Sequence, residues 1–417
     1  MRSIKLFLRS VPALFFSWSV TRYVLFLFIT LVLPYPEGKW LKGDVDLYNF
    51  WAQGLVKGIF PINDSMWQYP PLAGVVFATP QWVFGNALTG FIIFMIIFDL
   101  LVLITLLIFG LKRFSKTPEL ITLDGLGGAW FWVLWPVLMG PLALTRFDVV
   151  PTLFAVVSII LISNPKIRPV LSGVFLSIGA LVKLWPLLLL VIYPRKYFKQ
   201  LVPSFILGAG GIIFLMNIWS VGFSNFLANQ QNRGLQVESV AGSIFVFLKL
   251  FGLSVDYPFR YGSLEVDAVF ADEIAMFLNI ATLIMFIIIF VFNYQNRLNH
   301  LNLFDKALVI ALISITLSRV FSPQFWVWVG GLAALALISR ETKLKKVITL
   351  LVFSALLTQL LYPGLYVPLL NGEVFASIVQ ILRVVLFVWA VVIGTKLLFK
   401  QPAQKSEIGN VKNTCHN

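Results

Sequence analysis

The chain has 417 residues, 59% of them hydrophobic and 12% charged, with a formal net charge of +14 at pH 7 and a mean hydropathy of +0.90. Soluble domains carry about 25% charged residues, so the composition excludes an ordinary soluble enzyme and points to an integral membrane protein with many spans. Lys and Arg gather in short turns between apolar runs, as topology determinants do, which argues against nucleic-acid binding, and the single cysteine, Cys415, excludes an internal disulfide framework or a cysteine-cluster metal site.

The basic start, with Arg2, Lys5 and Arg9, leads into an apolar run from Val11 to Pro34. That run is too long for a signal-peptide core and has no small-residue cleavage site after it. It reads as a retained first span, roughly 11–33, with the N-terminus inside. An outer loop is expected over 35–87. The second span, roughly 88–111, ends inside at Lys112, Arg113 and Lys116. Spans at about 122–142 and 147–163 follow, joined by a short outer turn holding Arg146 and Asp148 and ending inside at Lys166 and Arg168.

Residues 169–194 are basic at both flanks, where Arg195, Lys196 and Lys199 follow. A single span would put one cluster outside. The segment therefore reads as a broken, re-entrant pair interrupted near Lys183-Leu184-Trp185-Pro186, since proline breaks helices and irregular backbone is tolerated at depth where it lines a cavity. A span at 201–219, an outer loop over 220–272, and spans at about 273–293, 306–320, 324–339, 346–362 and 375–399 complete the chain. The expectation is an all-α polytopic membrane protein with about 10–12 membrane helices. They form one domain over 1–399, with both termini inside and a polar cytoplasmic tail over 400–417.

Ionisable groups near hydrocarbon are costly and point to function. Asp44, Asp46 and Asp64 fall in the first outer loop among Tyr48, Trp51, Trp67 and Tyr69. Arg146, Asp148, Lys183 and Arg319 sit at predicted outer ends of spans, and Arg233, Gln236 and Glu238 lie in the second outer loop. Taken singly, each has an ordinary reading: a solvated acidic loop, a capping pair, a snorkelling lysine, an interfacial aromatic belt, and structural pairing for Arg22, Arg319 and Arg383. Taken together they fit one chemistry. A carboxylate accepts a hydroxyl proton, cations hold a phosphate whose charge grows as it leaves, and aromatic faces carry a sugar ring. That is sugar transfer from a lipid-phosphate donor at a membrane face. A transporter or flippase, or a membrane scaffold, are the competing readings; the first would need polar residues on the inner half of the spans and a second gate.

The pieces also occur in a recognisable order. They are Asp44-Val-Asp-Leu-Tyr48 with Trp51-Ala52 and Gly58, Asp64, Gln68-Tyr-Pro-Pro-Leu72, Arg146-Phe-Asp148-Val-Val-Pro151, Gly179-Ala-Leu-Val-Lys183-Leu-Trp-Pro186, Arg233-Gly-Leu-Gln-Val-Glu-Ser239, and Ser322-Pro-Gln-Phe325 with Trp328. The set resembles glycosyltransferase family 87, polyprenol-phosphate-mannose-dependent α-mannosyltransferases of the GT-C superfamily, of actinobacterial type. The resemblance implies an inverting single displacement with a polyprenyl-phosphate sugar donor and a glycolipid or cell-envelope glycan acceptor. The site would lie on the extracytoplasmic face of the plasma membrane. Asp44 matches the place of the family's base, with Asp46 as its competitor. Lys183, Arg233, Arg146 and Arg319 would bind the donor phosphate. Tyr48, Trp51, Asp64, Trp67, Tyr69, Asp148, Gln236 and Glu238 would bind sugar or acceptor. Many relatives read Glu-Tyr-Pro-Pro where this chain has Gln68. No cofactor is required by this scheme, no metal ligand is assigned, and a divalent cation shared by Asp44 and Asp46 stays open, as does another sugar such as arabinofuranose or glucose.

Overall fold

The computed structural model describes residues 10–85, 87–114, 123–163, 169–231, 233–339 and 341–400. Arg2, Lys5, Arg9, Lys116, Lys166, Arg168, Cys415 and the tail beyond Lys400 lie outside the described residues. The chain is 73% helical with almost no sheet, as an all-α polytopic membrane protein must be when its backbone groups have no water to bond.

Among the described residues, five helices are long and apolar enough to cross a membrane: Val11–Ile29, Leu88–Arg113, Arg195–Trp219, Ala271–Tyr294 and Val374–Phe399. They present bare apolar side chains outward, such as Leu207 and Phe214 on one and Phe277 and Leu283 on another. Shorter helices fill the interior. Phe325–Leu337 is buried along nearly its whole length, which is why its sequence is apolar on every side. Its backbone approaches the helix Leu123–Met139 closely. A Cβ on Gly330 would strike the Trp135 indole, whose Nε1 donates to the Trp326 carbonyl at 2.7 Å.

Arg22 and Asp99 form a buried pair between the helix Val11–Ile29 and the helix Ala87–Phe114. Two contacts at 2.8 and 2.9 Å join them, and Arg22 also donates to the Val133 carbonyl at 2.6 Å. Trp18 Nε1 donates to the same carboxylate at 2.5 Å. A charge pair in hydrocarbon persists only when its remaining hydrogen bonds are also satisfied, and here they are.

The re-entrant pair breaks where the sequence placed it. A helix over Pro169–Val182 stops before Lys183, and Pro186 sits at the start of a 3₁₀ helix, Trp185–Ile192, that packs back against it. The segment 35–87 departs from expectation, because it is mostly helical: Lys39–Leu55, then Pro71–Phe84. The first of these buries Leu41, Val45, Tyr48, Trp51, Ala52 and Leu55, a helical spacing on one face, and leaves Asp46 exposed on the other. The segment 220–272 is more irregular, with short helices Phe226–Gln231 and Gly242–Lys249 and a hairpin pairing Phe259–Arg260 with Ser263–Leu264. The two segments join at a parallel bridge between Ile59 and Val221. Gly58 lies beside it at φ +76°, and any Cβ there would strike the Trp219 carbonyl.

Candidate active site

A cavity of about 920 Å³ opens where these two segments meet the membrane helices. Asp44, Arg146, Lys183, Arg233 and Glu238 all line it. They come from four separate stretches of sequence, so the fold assembles what no single motif contains.

Asp44 is half-buried on its amphipathic helix and forms an ion pair with Arg146. Arg146 is itself buried, and its Nη1 has no hydrogen-bond partner. Asp46 is exposed and does not line the cavity. Residues two apart on a helix point in different directions, so Asp44 and Asp46 do not form a shared cation site here. Among the described residues, no group of three His, Cys, Asp or Glu side chains is arranged to hold a metal ion.

Lys183 sits at the break of the re-entrant pair. Its ammonium donates to Asp148 Oδ1 at 2.6 Å and lies 5.0, 5.5 and 5.2 Å from the ring centres of Phe147, Phe325 and Trp328. Such a box of aromatic faces holds a cation by its ring electrostatics. Asp148 also accepts from Trp328 Nε1 at 2.5 Å. It is fully buried and away from the cavity wall. Its role in the structure is therefore to orient Lys183 and Trp328 rather than to meet a sugar.

Arg233 reaches the cavity from the second irregular segment and donates to Gln68 Oε1 at 2.9 Å. Gln68 Nε2 in turn donates to the Tyr261 carbonyl. The amide uses both its accepting and its donating end, and an ionised glutamate can only accept. This gives a physical reason for Gln68 in the Gln-Tyr-Pro-Pro motif of this chain. Glu265 supports the same loop by accepting from the Gly234 amide at 3.0 Å. Arg319, expected at the phosphate, lies off the cavity lining. Its guanidinium donates to the Arg233 carbonyl and, at 2.9 Å, to the Gln230 carbonyl, so it holds the strand of chain that presents Arg233.

The aromatic residues divide. Tyr48 and Tyr69 line the cavity, whereas Trp51 and Trp67 stand behind them, packed edge to face at 5.1 Å. Tyr48 stacks on Phe77 at 4.3 Å. Burial pushes the Tyr69 hydroxyl up to about 12 and the Tyr48 hydroxyl well above its ordinary range, so both stay protonated and able to donate. Asp64 is likewise behind the wall, accepting from Trp51 Nε1 at 2.7 Å and from the Met66 amide at 2.9 Å.

On the far side, Gln236 and Glu238 are buried cavity residues. Gln236 Nε2 donates to Glu238 Oε2 at 3.0 Å, and the Tyr366 hydroxyl donates to the same oxygen at 3.1 Å. Burial pushes the Glu238 carboxyl up to about 7, against the opposing pull of Arg383, the Tyr366 hydroxyl and Arg146. Arg383, which from sequence reads as packing or pairing, is a hub here. It donates to Thr358 Oγ1 at 2.8 Å, to the Glu238 carbonyl at 3.2 Å and to the Phe321 carbonyl at 3.2 Å. Trp40 and Tyr366 also line the cavity, and neither was singled out from sequence. Trp40 carried a signal, since it stands four residues before Asp44. Tyr366 carried none, being far from every motif.

The fold and this cavity define a polytopic membrane protein whose polar site gathers two carboxylates, three cations and five tyrosines beside an apolar wall. Residues 67–323 match glycosyltransferase family 87. The match covers more than half of the chain, and the chain belongs to that family, which makes it a membrane glycosyltransferase. No curated protein and no solved structure gives a match. The family match begins at Trp67, so the helix bearing Asp44 lies outside it and enters the site on geometry.

Proposed function

We propose that the chain is an inverting glycosyltransferase that moves a mannosyl residue from a polyprenyl-phosphate donor to a lipid-linked or cell-envelope glycan at the extracytoplasmic face. The observation that carries this reading is a single cavity in which Asp44 pairs with Arg146 while Lys183 and Arg233 line the same space. Asp44 is the only one of the three aspartates of the first polar segment to line it; Asp46 and Asp64 do not.

In this scheme the donor phosphate lies among Arg146, Lys183 and Arg233. Its charge grows from one to two negative units as the bond from the anomeric carbon to the phosphate oxygen breaks, and fixed cations favour that change. The acceptor hydroxyl attacks the anomeric carbon from the opposite face and passes its proton to Asp44. The polyprenyl phosphate leaves with the bonding electron pair, and the configuration at carbon inverts. Arg146 touches both halves of the reaction: it pairs with Asp44 before transfer and meets the phosphate during it. Leu184, Leu187, Leu188 and Ile315 line the apolar end of the cavity, and Leu184 and Leu187 are also exposed on the outer surface of the protein. That continuity supports a prenyl chain lying half in the site and half in lipid.

The test is a transfer assay with purified protein, short-chain polyprenyl-phosphate-mannose and a panel of mannolipid acceptors. Asp44→Asn should lower kcat by about 10²–10⁴-fold, the range for loss of a general base. Asp46→Asn should stay within about twofold, as exposed substitutions away from a site do. Loss with Asp46→Asn alone would move the base. Donor binding without transfer or hydrolysis by wild type would sink the reading in favour of another sugar or of lipid transport.

A further inference from the structure

Trp40 and Asp44 are four residues apart on the helix Lys39–Leu55. Their side chains leave the same face one turn apart, with Cβ atoms about 6 Å from each other. Both line the cavity. Tyr48 and Trp51, further along the helix, are consumed by packing at 2% exposure, but Trp40 remains 39% exposed. Its ring meets Tyr366 edge to face at 6.0 Å, and Tyr366 meets Tyr362 in the same way at 5.3 Å.

Behind this shelf stands Glu238. Its Oε2 accepts from Tyr366 and Gln236, but its Oε1 has no partner, although the residue is only 2% exposed. Buried polar atoms without a partner are rare and call for an explanation such as a ligand or water. Of the neighbouring cations, Arg383 is engaged by the carbonyls of Glu238 and Phe321, and Arg146 pairs with Asp44 through Nη2, its Nη1 having no hydrogen-bond partner. The carboxylate therefore has accepting capacity to spare, and Tyr366 links it to the open face of Trp40, which stands one helical turn from the proposed base.

We infer that Trp40, Tyr366 and Glu238 form the acceptor subsite, in which a neutral pyranose ring lies on Trp40 with one hydroxyl on Glu238 and its nucleophilic hydroxyl at Asp44. This rests on the glycosyl-transfer reading above and adds the class of acceptor. The ring's apolar face covers the indole, and its hydroxyls meet two carboxylates. Once Glu238 is ionised, above about pH 7, an acceptor ring carrying its own carboxylate or phosphate is repelled by the same pair. Discrimination at this end of the cavity is by charge and by the flat face, whereas the donor is selected at the cations on the other side.

The experiment is initial-rate kinetics with polyprenyl-phosphate-mannose as donor and octyl mannopyranoside, octyl glucopyranoside and octyl glucuronide as acceptor probes. Trp40→Ala should raise acceptor KM about tenfold, as truncating an aromatic anchor does, while donor KM moves less than about twofold. Trp40→Phe should recover most of the loss, which a merely structural defect would not. Glu238→Gln should narrow the preference for the neutral probes over the glucuronide. Unchanged acceptor KM in Trp40→Ala, with transfer intact, would overturn the subsite and leave the enzyme reading standing. Equal use of the glucuronide by wild type would overturn the charge argument. Absence of any donor turnover by wild type would bring down the transfer reading itself, and the subsite with it.

Discussion

Lys183 and Asp148 show how a charged group is kept near hydrocarbon at this site. The lysine's ammonium touches one carboxylate oxygen and three aromatic rings, and the aspartate has no exposure at all. Breaking a buried pair by removing one partner strands the other charge, at a cost of about 3–5 kcal/mol. Asp148→Ala should therefore destabilise the folded protein by that order, read as a lowered thermal midpoint in detergent, and should abolish transfer as Lys183 loses its orientation. Lys183→Met with Asp148→Asn should be much milder in stability than the sum of the single changes, because the pair is removed together, yet equally inactive. Glu238 makes a second residue-level prediction. Its carboxyl is raised to about 7 from an ordinary 4.5 by burial, so the folded state holds the proton more tightly than the unfolded chain. Stability is then greatest below about pH 4.5, falls as pH rises through the interval to 7, and is lowest above it. The fall is roughly 3 kcal/mol by linkage. Thermal unfolding between pH 5 and 8 should show this decline in wild type, and Glu238→Gln should flatten it.

At the scale of elements, the sequence yielded the long spans and the interrupted one, because both depend on features that survive without context: apolar length, basic flanks and a proline. The break at Lys183 follows from Pro186, which cannot continue a helix. The helix Lys39–Leu55 falls where an outer loop is expected, and its Gly43, Asp44, Asp46, Asn49 and Gly54 favour turns one by one. Its apolar residues nevertheless recur at helical spacing, and burying that face against Phe77 and Phe147 outweighs the weak local preferences. The site residues divide along similar lines. Asp44, Arg146, Lys183 and Arg233 stand in recognisable motifs, but whether a side chain faces the cavity or backs its wall is decided by packing, and so Trp51, Trp67, Asp64 and Asp148 could not be told from Tyr48 and Tyr69. Arg383 illustrates the limit. It lies in the last long helix and ties together three elements through the Thr358 hydroxyl and the backbone carbonyls of Glu238 and Phe321, contacts that leave no trace in sequence pattern. Arg383→Lys should cost about 3 kcal/mol and lower activity through displacement of Glu238. An ammonium cannot reproduce the planar fan of donors that reaches Thr358, Gln380, Glu238 and Phe321. The measurement is a thermal midpoint alongside the acceptor KM.

For the whole molecule, the arrangement has a sidedness that the proposed donor depends on. A polyprenyl-phosphate sugar is used where nucleotide sugars are scarce, so the cavity should open away from the cytoplasm, with the basic turns on the other side. Asp46 is an exposed residue on the helix that lines the cavity, and Lys199 is an exposed member of the basic cluster after the re-entrant pair. Positive residues gather on the cytoplasmic side of short loops, so the proposed sidedness predicts Lys199 inside and Asp46 outside. In a Cys415→Ser background, Asp46→Cys should react with a membrane-impermeant maleimide in intact cells. Lys199→Cys should react only after the membrane is opened. The reverse pattern would place the cavity in the cytoplasm. A soluble nucleotide sugar would then become the natural donor, and the apolar wall of Leu184, Leu187 and Leu188 would have to serve a lipid acceptor instead. The labelling pattern thus decides which of the two substrates brings the lipid tail, independently of any turnover measurement.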